Sequence, residues 1–152
     1  MKPTKLVGVL SLIAGIVMIV AGAVTWGMVS SQLSAENITV PGDSTIAPGK
    51  PVRGPITAYA QADIINHHAL AGSDNKTYAE LGALAREAAD NGDEELAAQL
   101  TEQRASVMNA SFLRASLFTS VVAFGVAALV IGLGLMFILL GWALTSIKTS
   151  ND

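Results

Sequence analysis

Two stretches of this chain carry no charged side chain: Leu6 to Ala35 and Ala115 to Ile147. Each exceeds the ~20 residues that, at about 1.5 Å rise each, cross a hydrocarbon core of ~30 Å. Inside lipid a single segment satisfies its own backbone only as a helix. As core helices of a soluble protein both would need cover, and the remaining residues are too few and too polar to provide it. The expected fold is therefore an all-α membrane protein, with two transmembrane helices in a hairpin at 6–29 and 115–144. A mostly helical extracytoplasmic domain over 30–114 joins them, and residues 1–5 and 145–152 are short cytoplasmic ends.

Charge sets the orientation. Lys2 and Lys5 precede the first apolar run and Lys148 follows the second. The segment between holds six basic against eleven acidic residues, a net charge of −5. Arg104 and Arg114 lie close to the second run, so the count of flanking cations alone is nearly balanced. The start "MKPTK" before an apolar run nearly twice the usual length of a cleaved signal reads as an uncleaved signal anchor. That gives a multi-pass plasma-membrane protein with both ends inside and the central segment outside. Trp26 and Trp142 then fall near opposite interfaces, where indole rings are favoured. An acidic outer face lacks the clustered cations that nucleic acid requires. With no cysteine, there is neither a disulfide nor a thiolate site.

The central segment divides at its turn residues. "ENITVPGDSTIAPGKPVRGPI" holds four of the five prolines and reads as a loop, with a short extended piece at Ile38–Val40. A helix is expected from near Ile56 to a stop at Gly72. Thr77 and Glu80 have capping-box spacing for a second helix ending at "DNG". Asp93 is the next N-cap. From there to Phe124 no glycine or proline intervenes, so one continuous helix should run from about Glu94 through the second span.

Small residues recur in both spans. Gly8, Gly15 and Gly22 are spaced by seven, with Ser11 and Thr25 on the same stripe. Ser120, Ala127, Gly134 and Gly141 have the same spacing, and Gly125 and Gly132 form a second set out of phase with them. Such spacing lets helix backbones approach closely where lipid supplies no hydrophobic drive. One stripe would join the two spans, and the other would meet a different protein. Neither span contains an ionisable side chain, which disfavours a carrier or channel.

Both histidines sit in "YAQADIINHHAL", at His67 and His68, with Asp63 one turn earlier. A metal site needs several ligands converging on one point. Neighbours on a helix diverge by about 100°, and two ligands at Asp63 and His67 are not a site. These three residues are expected to face solvent or a partner. No catalytic, metal or cofactor site is expected, since no nucleophile–base arrangement, P-loop or HExxH motif is present.

"GPITAYAQADIINHHALA", "TYAEL" and "NASFLRASLFTSVVAFGVAALVIGLGLMF" resemble a group of small actinobacterial two-span membrane proteins, many carrying the label "aromatic ring-opening dioxygenase LigA". The resemblance covers both spans and the end of the outer loop. It implies topology rather than catalysis, because ring-cleaving enzymes hold non-haem iron with histidines and a carboxylate, and this chain has two histidines. The expected role is a non-catalytic accessory or structural subunit of a larger membrane complex, with a respiratory supercomplex as candidate host. Its partners would be membrane lipids and other integral membrane subunits. The alternative is a free-standing envelope protein whose acidic outer domain senses or binds something.

Overall fold

Four helices make up most of the chain in a computed structural model that describes residues 3–147. They are α1 (Pro3–Ala35), α2 (Pro55–Ala71), α3 (Tyr78–Asp90) and α4 (Glu94–Ser146). Among the described residues there is no β-strand, only an isolated antiparallel bridge between Thr39 and Pro51. Two of the three lysines used for orientation, Lys2 and Lys148, lie outside the described residues. α1 and α4 are each long and apolar enough to cross a membrane. The chain divides into two compact units: most of α1 with α4 from Val122 onward, and Leu33–Val121.

In the first unit α1 and α4 run antiparallel, with Gly8 near Gly141 and Gly22 near Ala127. Most of their large apolar side chains point away from this contact. Val17, Val20, Val122, Leu129 and Leu139 all expose more than half of their surface. Phe124 and Ala127 are buried, and the Trp26 ring meets Phe124 edge-on at 4.8 Å between centroids.

In the second unit the loop after α1 closes on itself. The Val40 amide donates to the Lys50 carbonyl at 3.0 Å, and the Val52 amide to the Ile38 carbonyl at 2.8 Å. These bonds bury Val40 and Val52, and the extended character expected at Ile38–Val40 is reduced to one bridge. α2 starts at Pro55, which sits where a helix has no use for its missing N–H. It buries Ala58 and Ala62 on one side and Ala60 and Ile64 on the opposite side. Alanine there lets neighbours approach the helix from two directions.

α3 begins with a reciprocal cap. The Glu80 amide donates to Thr77 Oγ1, and the Thr77 amide donates to Glu80 Oε2 at 2.8 Å. The bond from the Thr77 amide, and after it that from the Thr77 hydroxyl, holds the exposed Glu80 carboxyl below its ordinary range. Gly92, at φ +78°, makes the turn into α4, a backbone conformation that favours glycine. Asp93 then accepts from the Leu96 amide at 3.1 Å, and Glu94 and Glu95 follow where the helix dipole favours negative charge. The turn folds α3 back on the first half of α4, burying Leu81, Ala88, Leu100 and Val107 together. Leu81 is the centre of this small core, so Leu81→Ala should cost about 2–5 kcal/mol. In the full chain this should appear as faster hydrogen exchange across Tyr78–Asp90, with amides between Gly8 and Gly22 unchanged.

Candidate functional site

The seam between α1 and α4 is made by main chain rather than by side chains. A β-carbon built on Gly15 would lie 2.5 Å from the Gly134 carbonyl oxygen, and one on Gly134 would lie 2.8 Å from that of Gly15. The same reciprocity holds between Gly8 and Gly141, at 2.9 and 2.6 Å. Gly22 completes the row, its β-carbon falling 2.9 Å from the Ala127 carbonyl oxygen and 2.6 Å from Ile131 Cγ1. At such spacing each glycine Cα–H can point at a carbonyl of the other helix, a weak contact that recurs at helix interfaces. Leu12, Ile19 and Ile138 close over the glycines from either side. The seven-residue spacing keeps the row facing its partner along the whole contact, since two turns of helix take close to seven residues.

Of the residues singled out from spacing, Gly8, Gly15, Gly22, Ala127, Gly134 and Gly141 meet here. Ser11 is half-buried beside them. Thr25, placed on the same stripe by its spacing, is exposed instead and turns its hydroxyl back to the Ala21 carbonyl at 2.9 Å. Ser120 likewise donates to its own helix, at Ser116. Gly125 and Gly132 are not part of the seam: a β-carbon on either meets nothing within 4 Å among the described residues.

In the second unit the histidines part company. His68 Nε2 donates to Asp43 Oδ2 at 2.7 Å, tying α2 to the preceding loop across 25 residues of sequence. This bond, ahead of any other influence, draws the Asp43 carboxyl below its ordinary value. His67 and Asp63 remain exposed on a groove they share with Asp43, Thr45 and Asn66. Among the described residues no group of three or more His, Asp or Glu side chains is placed to hold a metal ion. Two contacts were missed in the sequence. Asp43 belongs to a loop whose path spacing does not reveal. The Arg104 guanidinium lies 4.0 Å from the centroid of the Tyr78 ring and packs on Gly82. Tyr78 and Gly82 are one helical turn apart, and that was the available signal.

Compared with protein-family models, curated proteins and solved structures, the chain matches none.

Two outcomes follow from this geometry. Gly134→Leu drives a side chain into the Gly15 main chain and should cost about 1–3 kcal/mol or more. Gly132→Leu enters open space and should leave thermal stability in detergent unchanged. The second concerns Asp43. Because its carboxyl is held low, its bond to His68 contributes above the ordinary carboxylate range and is lost as pH falls through the lowered value. His68→Ala should return Asp43 to the ordinary range, as read by NMR titration of its side-chain carbon.

Proposed function

We propose that this chain crosses the plasma membrane twice as a hairpin, both ends inside and residues 30–114 outside, and serves as a non-catalytic accessory subunit of a larger membrane complex. The observation that carries this reading is the difference between the two glycine faces of α4. Gly134 and Gly141 are used up by α1, whereas Gly125 and Gly132 present bare backbone to open space. A helix that needed only to pair with α1 gains nothing from a second smooth face, and glycine in an exposed helix interior costs about 1 kcal/mol relative to alanine. A second membrane helix seated against Gly125 and Gly132 accounts for both.

The membrane setting is supported by the exposed apolar belt on α1 and α4. From Phe124, paired with Trp26, to the exposed Trp142 is about 27 Å along α4 at the helical rise, close to the thickness of a hydrocarbon core. A respiratory supercomplex is the host we propose, on the resemblance to small actinobacterial two-span proteins described above.

Gly132→Leu should leave the protein inserted and abundant but release it from the complex that wild type enters on a native gel. A loss of ~1.4 kcal/mol is a tenfold weaker association, and a helix contact of this type is worth that order. Unchanged co-migration would remove the accessory-subunit reading in favour of a free-standing envelope protein. As the topology arm of the same test, a cysteine at Asn91 should react with an impermeant maleimide in whole cells, and one at Thr4 should not.

A further inference from the structure

α2 touches α4 at two heights. Near its start, the Tyr59 ring meets Phe118 edge-on, with centroids 6.1 Å apart. Farther along, Ile65, His68 and Ala69 share a groove with Ser106, Asn109, Ala110 and Leu113. As numbers rise on α2 they fall on α4, so the two helices run antiparallel. Ile56 therefore lies about 4.5 Å beyond Tyr59, roughly level with Val121. Phe118 and Val121 both belong to the stretch of α4, beginning at Ala115, that carries no charge.

One face of α2 changes character at the same height. At 100° per residue, Ile56, Tyr59, Asp63 and His67 line a single stripe. All four are exposed, Ile56 at 68% and Tyr59 at 44%. The upper part of the stripe is polar and the lower part is a bare isoleucine and an amphipathic ring. α4 shows the same transition: Thr101, Glu102, Ser106 and Asn109 are exposed above, and Phe112 and Leu113 are exposed below. Arg114 follows directly on Phe112 and Leu113. Its guanidinium carbon lies 5.9 Å from the Phe118 ring centroid, and its buried Nε has no hydrogen-bond partner among the described residues.

We infer that the first turn of α2 is a foot resting in the headgroup–acyl boundary of the bilayer, an inference that rests on the two-span reading above. Ile56 contributes the apolar contact. Tyr59 spans the boundary, its ring on the apolar side and its hydroxyl toward the headgroups, as tyrosine does at membrane interfaces. Arg114, one turn above Phe118, directs its guanidinium down toward the Phe118 ring, so its stem lies along apolar surface and its charge points to the headgroup phosphates. The lower end of α2 is chemically prepared for such a place. Pro55 brings no N–H, and the amides of Arg53 and Gly54 are both taken by Thr57 Oγ1, at 3.1 and 3.2 Å. Fewer free donors means a smaller cost where water is scarce. The lipid surface is the occupant that fits, because the patch lies beside Phe118 and Val121, in the part of α4 that carries no charge.

The chain has no cysteine, so single cysteines report unambiguously. The test places one at Ile56, at His67 or at Val126, labels each with the fluorophore NBD, and reconstitutes the full chain in phosphatidylcholine vesicles. A fraction of the lipid carries a nitroxide near the top of the acyl chain. All three side chains are exposed, so folding is not at stake. The expected result is blue-shifted, strongly quenched emission at Ile56 and Val126 and water-like, weakly quenched emission at His67. Quenching at Val126 with a water-like Ile56 overturns the foot and leaves the two-span reading standing. An unquenched Val126 overturns both.

Discussion

The structure depends on two helices touching through their main chains. Lipid tails are as apolar as leucine, so burial of apolar side chains cannot hold α1 to α4 in a membrane, and close packing with weak polar contacts must. Close packing demands that something be left out, and here it is the side chain itself at Gly8, Gly15, Gly134 and Gly141. The bulky residues are free to face outward because none of them is needed at the contact. This one requirement explains why the most apolar side chains of the chain are among its most exposed.

The second unit is held by different physics. Its core is small, centred on Leu81, and much of its definition comes from polar and electrostatic contacts. These are the Thr77–Glu80 cap, the Arg104 guanidinium over Tyr78 and the Asp43–His68 bond. Each exposed polar contact is worth little in water, but they fix positions that alanine-rich helices leave loose. α2 is the clearest case. Its alanines allow neighbours on two sides without specifying them, and the loop bond from Asp43 and the ring contact with Phe118 supply the missing specification.

The extent of the helices was legible in the sequence because each end is written locally. Pro55, the Thr77–Glu80 pair, Gly92 and Asp93 act within one turn of themselves, and the charge-free runs speak for their own length. The glycine row was legible because a period of seven in both partners has few other readings. Which of the two α4 faces meets α1 was not, since Gly125 and Gly132 repeat with the same period as Gly134 and Gly141. Leu12, Ile19 and Ile138 flank the face that is used, and such packing depends on three-dimensional shape that spacing does not carry. The same limit hid Asp43. Spacing along a helix offered Asp63 as the acidic neighbour of the histidines, whereas the bond came from a loop whose path local rules do not determine.

A periodic seam also carries an ambiguity of its own. If α1 slid past α4 by one repeat, about 10 Å, Gly15 would face Gly141 and Gly22 would face Gly134. Most of the row would be satisfied again, and the glycines alone come close to leaving the register degenerate. The slip is resolved by what does not repeat. It would set Ala127 against Val29, a larger side chain than the glycine it now meets, and would part Trp26 from Phe124. The aromatic pair thus acts as an index tooth on an otherwise uniform rack. It selects one of the several alignments that the small residues would accept, since the opposite slip would again pair Gly8, Gly15 and Gly22 with small residues, Gly134, Ala127 and Ser120.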